Sequence, residues 1–361
     1  MVTARSDTTQ SATARSGDAS RARSDAGAPA SRASVGRRSA AVVAFVLVAA
    51  IAVALSLAIG SHALSPAEVW RALTHPDGSY ATTVVDSRIP RTILGVICGG
   101  SLAVAGVVMQ GITRNPLGDP SLLGVNAGAT AAMATAGLLG TTATVVSPYV
   151  ALPGALIAAL FAYTLGGGGR ARTGSARLVL AGAVITALGV AYVQAVSLVR
   201  PDVFNSIRFW QVGSIAGRGA DVITAVLPVI IVGFVVAALI VPALNVLALG
   251  DEAALALGAR VSVVKFAGLA ATTLLCAGAT AAAGPIMFVG LAVPHLTRSI
   301  VGSDHRLVMP MSFFGGIALV LLCDVAGRVV LAPNEVMAGV ITSIIGAPVL
   351  VLAVRRMRGL G

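Results

Sequence analysis

Apolar stretches long enough to cross a membrane recur from about residue 40 to the end of this 361-residue chain. A helix that spans the hydrocarbon core needs about 20 residues, and on that measure the sequence predicts ten helices. They lie at residues 40–60, 91–112, 121–141, 148–166, 176–198, 222–243, 262–283, 286–302, 307–328 and 336–354. Only 11% of the residues are charged, whereas soluble domains carry about a quarter. The sequence therefore predicts an all-α, polytopic membrane protein.

The first 38 residues differ from the rest of the chain. They are rich in Ser, Ala, Arg, Asp and Thr and show no apolar period. Such a segment buries too little apolar surface to offset the entropy lost on ordering. We expect a disordered cytoplasmic tail over residues 1–38 and a transmembrane domain over residues 39–361, with Arg37 and Arg38 holding the start of the first helix inside.

The distribution of basic residues predicts the orientation. With the N-terminus inside, the inner loops and termini hold more Arg and Lys than the outer loops, as the positive-inside rule requires. Both termini are therefore expected in the cytoplasm. The net charge of +11 does not indicate nucleic-acid binding, because the basic residues are scattered and aromatic residues make up only 4%, too few for stacking surfaces.

Three arginines, Arg88, Arg91 and Arg328, are predicted on the outer side, against this bias. Their side chains could reach to the membrane interface, or Arg328 could pair with Asp324 four residues earlier on one helix face. These local roles are the first interpretation, and a positive outer rim for an acidic partner is the alternative. The residues alone leave both readings open.

The chain lacks the chemistry of an energy source or an enzyme. The segment GRARTGS, residues 169–175, has the glycine spacing of a P-loop but no lysine to reach the phosphates. Most acidic residues fall in or beside loops, whereas proton-coupled carriers place ionisable groups within the membrane. Three scattered cysteines and four histidines form no ligand pattern. We expect no ATP hydrolysis by this chain, no metal site and no catalytic residues.

Two inner loops are more elaborate than a simple turn requires. In LALGDEAALALGARV, residues 247–261, Asp251 can cap a short helix and Glu252 suits its first turn. This helix would either rest on the membrane or dock into a separate protein. In QGITRNPLGDPSLLG, residues 110–124, the residue before each proline is steered away from the α region, and Ser121 can cap the next helix, so this loop is at least a well-made turn.

Several long motifs resemble the FecCD-type permeases, which include the iron–siderophore and cobalamin importers. They are RIPRTILGVICGGSLAVAGVVMQGITRNPLGDPSLLGVNAGA, GDEAALALG, GPIMFVGLAVPHLTRSIVGSDHR, CDVAGRVV and NEVMAGVITSIIGAPVLVLAVRR. They occur in the family's order and extend from about residue 40 to the C-terminus.

The resemblance implies a ten-helix permease subunit with the type II ABC importer fold, in the cell membrane. A second permease subunit, identical or different, would complete the pore. Two separate ATP-binding subunits would carry ATP and Mg, so that this chain binds no cofactor, and an extracytoplasmic substrate-binding protein would deliver the cargo. The cargo would be a ferric siderophore or related metal chelate, with haem or cobalamin as alternatives. A secondary carrier driven by ions is the alternative from a different class.

The resemblance also implies roles for individual residues. Arg88, Arg91 and Arg328 would receive acidic residues of the binding protein. Helices at about 249–260 would couple to the ATPase through Gly250, Asp251, Glu252, Ala253, Leu257 and Gly258. A cytoplasmic gate would include Asn115, Pro116, Leu117, Thr173 and Ser175. The fifth helix and a short outer helix near RFWQVGS, residues 208–214, would line the translocation path through Gln194, Trp210, Gly213 and Ser214.

Overall fold

The computed structural model describes residues 29–60, 62–140, 143–167 and 175–358, and every regular element in these ranges is a helix. The α-helices are α1 (Pro29–Ala58), α2 (Pro66–Thr74), α3 (Tyr80–Thr113), α4 (Val125–Leu138), α5 (Ala143–Leu165), α6 (Ser175–Val199), α7 (Pro201–Val212), α8 (Ala220–Leu247), α9 (Asp251–Ala256), α10 (Val261–Ala283), α11 (Val289–Val301), α12 (His305–Val330) and α13 (Ala338–Arg358). A 3-10 helix, Pro120–Leu123, precedes α4.

All ten predicted membrane helices coincide with helices of the structure, namely α1, α3–α6, α8 and α10–α13. The chain divides into two units at Ala44 and Phe45, so the first part of α1 belongs to one unit and everything from Phe45 onward to the other. Helix α1 begins at Pro29, inside the segment predicted as a tail, where Ala, Ser and Arg are compatible with a helix and proline suits its first turn. Residues 1–28 lie outside the described ranges.

Seven helices of the described chain are long and apolar enough to cross a membrane. They contain Ser39–Ala58, Tyr80–Thr113, Pro148–Leu165, Arg177–Val199, Ala220–Leu247, Val261–Ala283 and His305–Val330. Helices α4 and α11 are shorter than the sequence predicts. Gly124, at φ 75°, ends the 3-10 helix before α4, and Gly284 and Phe288, at φ 75° and 68°, break the chain before α11, because left-handed backbone cannot continue a right-handed helix.

The amphipathic helix α2 was not predicted. Its hydroxyl cap, Ser65, accepts a hydrogen bond from the backbone of Glu68, and Glu68 accepts one from the backbone of Ser65, which is a capping box. Val69 and Ala72 are buried against the end of α1 and the start of α3, while Trp70 is exposed. The sequence SPAE, residues 65–68, has the pattern of a capping box. The segment was missed because it is too short and too polar for a prediction based on membrane-spanning length.

Helix α3 lies at the centre of the bundle, packed against α8, α10, α11 and α12. Glycines allow its backbone to touch its neighbours. A Cβ at Gly316 of α12 would lie 2.1 Å from the carbonyl oxygen of Gly99, and a Cβ at Gly106 would lie 1.8 Å from that of Gly290 in α11. Small residues allow such close crossings between membrane helices, so these glycines set the spacing of the core.

A methyl group at the α3–α12 crossing should destabilise the protein. We expect Gly316→Ala to lower the free energy of unfolding by about 1–3 kcal/mol, since the facing backbone must move. Thermal unfolding of the detergent-solubilised protein would measure the loss. Gly36→Ala is the matched control, because nothing lies within 4 Å of a Cβ placed there. If Gly316→Ala and Gly36→Ala unfold at the same temperature, the backbones of α3 and α12 do not cross as closely as the structure shows.

Candidate functional site

The bundle has two polar ends. The Arg91 end is formed where α1, α7, α10 and α12 finish and α3 and α13 begin. Hydrogen bonds join these elements: Val336 N–H donates to Gly327 O at 2.9 Å, Gly339 N–H to Gly213 O at 3.0 Å, and Ser214 N–H to Ala283 O at 2.7 Å. The Asp251 end is formed where α3 and α8 finish and α9, α10 and α12 begin.

At the Arg91 end, the buried carboxylate of Asp324 binds two arginines. Arg91 donates to it from Nε at 3.0 Å and from Nη2 at 2.9 Å. Arg328, one helical turn after Asp324, donates from Nε at 2.9 Å and also from Nη2. The structure thus contains the local pair considered from the sequence, and it adds Arg91, which lies on another helix. Arg91 also bridges outward, with Nη1 2.8 Å from Oε2 of Glu335.

Arg88 and Arg328 also bind backbone carbonyls at the end of α1. Arg328 Nη1 donates to Ser56 O at 2.7 Å and to Ile59 O at 3.0 Å, and Arg88 donates to Leu57 O at 2.8 Å and Ala58 O at 3.0 Å. The last carbonyls of a helix lack intrahelical partners and carry partial negative charge. The two guanidinium groups satisfy them and neutralise that end of α1.

The predicted docking arginines therefore differ in accessibility. Arg88 and Arg328 are 7% and 2% exposed, whereas the Arg91 side chain is 13% exposed and its partner Glu335 is 39% exposed. Helix α3 has 34 residues, roughly 51 Å, against about 30 Å of hydrocarbon. The helix is therefore about 20 Å longer than the hydrocarbon is thick. The docking role of the three arginines stays a prediction.

Removing the charge of Asp324 should destabilise the Arg91 end strongly. In Asp324→Asn, Arg328 keeps no counter-charge, and we expect the free energy of unfolding to fall by about 3–5 kcal/mol. Asp202→Asn is the control, because Asp202 pairs with Arg200 at the surface and its loss should change stability little. Thermal unfolding measures both; a loss no larger than the control's would show that Asp324 does not hold the network.

A cavity of about 670 Å³ lies between α4, α6, α7 and the segment before α11. The polar side chains that line it are those of Ser121, Asn126, Thr130, Thr186, Gln194, Ser197 and Gln211. None of its described lining residues is charged. Within the described chain, the buried Nε2 of Gln211 has no hydrogen-bond partner. The rest of the lining is apolar, with side chains such as Val190, Leu198 and Phe204, so the cavity combines apolar surface with a few neutral polar groups.

Of the four predicted path residues, Gln194 lines this cavity, and the other three join α7 to the end of α10. Gly213, at φ 81°, allows a close approach in which a Cβ would lie 2.2 Å from Pro285 O. Ser214 N–H bonds Ala283, and Trp210 is 4% exposed. The short helix predicted near residues 208–214 is α7, which begins earlier, at Pro201.

At the Asp251 end, α9 is a single exposed helical segment between two glycines. Gly250 and Gly258 have φ of 107° and 81°, which favours glycine at both positions. Leu257 is 66% exposed, and Glu252 and Ala253 are also exposed. Asp251 is the first residue of α9 rather than its cap, which is Gly250. Its carboxylate instead binds other elements.

Asp251 connects α9 to two other elements. Lys265 Nζ on α10 lies 2.6 Å from its Oδ2, and Arg114, directly after α3, lies 3.4 Å from its Oδ1. At the same end of the bundle, Asp304 caps α12 and accepts hydrogen bonds from Arg306 N–H at 2.9 Å and Asn245 Nδ2 at 2.7 Å. These bonds lower the pKa of the Asp304 carboxyl, so it stays charged and binds α8 to α12.

The predicted gate loop is exposed at this same end. Asn115 Oδ1 accepts a hydrogen bond from Leu117 N–H at 2.9 Å, so its side chain stabilises a turn around Pro116. Asp119, rather than Ser121, caps the following 3-10 helix by accepting from Ser121 N–H at 2.7 Å, and burial raises the pKa of its carboxyl.

The other two predicted gate residues add little to this picture. Thr173 lies outside the described residues. Ser175 begins α6, but its side chain also lies outside them. The structure therefore describes the gate loop over Asn115–Leu117 only.

Long apolar helices beside an uncharged cavity are typical of a multi-pass membrane protein. The FecCD transport family matches residues 47–356, and the chain belongs to that family. It is a permease of the cell membrane. The resemblance seen in the sequence motifs is thereby confirmed.

Relatives and solved structures agree with this membership. The ferric enterobactin permease protein FepD of Escherichia coli is 41% identical over 321 residues, covering 88% of this chain and 96% of the relative. The iron(3+)-hydroxamate permease protein FhuB of Bacillus subtilis is 34% identical, covering 84% and 80%. A solved structure, described as an inward-facing conformation of a transporter assigned to the metal-chelate ABC type, matches with a TM-score of 0.71 and 26% identity, covering 87% and 98%.

Proposed function

We propose that this chain is the permease subunit of a binding-protein-dependent ABC importer for a ferric siderophore or related metal chelate. The family match over residues 47–356 carries the proposal. Relatives named for ferric enterobactin, iron(3+)-hydroxamate and Fe(3+) dicitrate favour this cargo class. The cavity of about 670 Å³ supports it by its size and by its uncharged lining, in which apolar side chains stand beside a few amides and hydroxyls.

In this proposal the chain crosses the membrane ten times with both termini in the cytoplasm. Helices α4, α11 and α13 complete the seven longer spans. The Asp251 end is then cytoplasmic and the Arg91 end extracytoplasmic, which agrees with the excess of basic residues on the inner side.

The proposed assembly contains a second permease subunit, two ATP-binding subunits that hold ATP and Mg, and an extracytoplasmic substrate-binding protein. The ATPase groove receives α9 and its flanking residues, Gly250, Asp251, Glu252, Ala253, Leu257 and Gly258. Movement of α9 would reach the gate loop through the Arg114–Asp251 ion pair, because the two elements are joined there.

The remaining site residues take the roles that the family implies. The surface around Arg88, Arg91 and Arg328 receives the binding protein. Asn115, Pro116 and Leu117, with Thr173 and Ser175, form the cytoplasmic gate. Gln194 contacts the cargo, while Trp210, Gly213 and Ser214 shape the extracytoplasmic part of the path.

Reconstitution would test the energy source and the cargo. We expect proteoliposomes with the permease, its ATPase subunits and its binding protein to accumulate ferric siderophore only when ATP is present. Ferric enterobactin, a ferric hydroxamate, haem and cobalamin should be compared at equal concentration. Preferential uptake of haem or cobalamin would contradict the assignment of a siderophore as the cargo. Uptake under an ion gradient without ATP would contradict the ABC mechanism.

A charge at Leu257, the exposed residue directly after α9, should uncouple hydrolysis from transport. Leu257→Asp would bring an unpaired carboxylate into the ATPase groove, where burial is unfavourable. We expect uptake to fall by about tenfold or more, since the lost burial alone is worth about 1.5–3 kcal/mol, while the thermal midpoint of the isolated permease is unchanged.

The matched control is Leu139→Asp, at an exposed leucine between α4 and α5. It should retain ATP-driven uptake. If ATP-driven uptake is normal in Leu257→Asp, the assignment of α9 to the ATPase contact is wrong.

A further inference from the structure

Among the three arginines of the proposed docking surface, only Arg91 has a donor that points outward. Its Nε and Nη2 are held by the buried Asp324, while Nη1 binds the exposed Glu335 at 2.8 Å. Arg88 and Arg328 are buried and donate to the carbonyls at the end of α1. Releasing either of them would break several charge-assisted hydrogen bonds to those carbonyls, which is costly. A partner carboxylate can therefore reach Arg91 with the least disturbance.

Asp324 orients Arg91 for this contact. A bidentate pair fixes the plane of the guanidinium group as well as its position. The inward edge is thus occupied by a carboxylate that is itself 1% exposed, and the remaining donor faces the surface. Arg91 needs no rearrangement to accept a second carboxylate there.

That outward position is already filled by Glu335. This residue lies in the exposed segment between α12 and α13, and its side chain is 39% exposed. Glu335 is the exposed member of this ion pair, so water and salt compete for its carboxylate, while Arg91 is largely covered. Glu335 therefore holds Arg91 weakly enough to be displaced, whereas Asp324 does not.

We propose that Glu335 is an internal substitute for a carboxylate of the substrate-binding protein. It pairs with Arg91 between docking events and is displaced when an aspartate or glutamate of that protein arrives. This inference rests on the proposed function and deepens it. It assigns Arg91 to the exchange, and it assigns Arg88 and Arg328 to holding the end of α1 in place.

The sign of the effect of Glu335→Gln separates this role from a supporting one. If Glu335 competes with the binding protein for Arg91, its removal should tighten docking of that protein. If Glu335 instead positions Arg91, its removal should weaken docking. We expect Glu335→Gln to tighten binding roughly two- to fivefold, the size expected for one exposed ion pair. Arg91→Lys, which loses the planar fork, should weaken binding about tenfold or more.

The measurement uses the complete permease–ATPase complex in nanodiscs and the purified binding protein that supports its ATP-driven uptake. Biolayer interferometry gives the affinity at two salt concentrations. Asp202→Asn is the control, because it removes the same charge from another exposed arginine pair, Arg200–Asp202, at the start of α7. Its affinity should stay at the wild-type value.

Each possible set of affinities either supports or overturns the exchange of Glu335. The exchange is supported if Glu335→Gln tightens docking of the binding protein while Asp202→Asn does not. The same substitution should then have no effect on affinity when Arg91 is already replaced by Lys. Unchanged or weaker docking in Glu335→Gln overturns it, as does equal tightening in Asp202→Asn, which would reflect general electrostatics. If either of these two overturning results is obtained while the wild-type complex still takes up cargo with ATP, the inference about Glu335 fails and the proposed function stands. A wild-type complex that shows neither docking nor ATP-driven uptake overturns both.

Discussion

Backbone carbonyls that are buried at a helix end must find partners within the protein, because water does not reach them. This requirement organises the Arg91 end. Leu64 N–H donates to Ala58 O, and Arg88 and Arg328 supply further donors to the last carbonyls of α1. Their charge requires a buried counter-charge, which Asp324 provides, and Asp324 in turn orients Arg91. One unsatisfied helix end thus accounts for a network that joins α1, α3 and α12.

The two ends and the cavity differ in how strongly they can bind. Charged groups are concentrated at the Arg91 and Asp251 ends, where proteins are proposed to dock. The cavity between α4 and α6 is lined, among its described residues, by neutral side chains. Charge-assisted bonds are stronger than neutral ones, so specific recognition is favoured at the ends. A solute in the cavity meets only weaker bonds, which suits a chamber that must release what it receives.

Hydropathy predicted the helix positions because membrane helices must be long and apolar. The i,i+4 spacing allowed the short-range pair Asp324–Arg328 without deciding it. The helix lengths were less predictable, since α4 and α11 are shortened by left-handed residues such as Gly124 and Phe288. Contacts between distant segments were not predictable. Arg91 meets Asp324 across 233 positions, and no local pattern records such a pairing. Helix α2 was missed although its capping signal was present in the sequence.

The placement of the two tryptophans has a practical consequence. The chain contains only Trp70 and Trp210; Trp70 lies on α2, which packs beside the end of α1, and Trp210 lies on α7 beside Gly284. Both indoles therefore belong to the Arg91 end, one exposed and one buried. Intrinsic fluorescence of this protein is consequently an optical signal from one end of the bundle, and a Trp210→Phe variant would leave a single emitter at its surface.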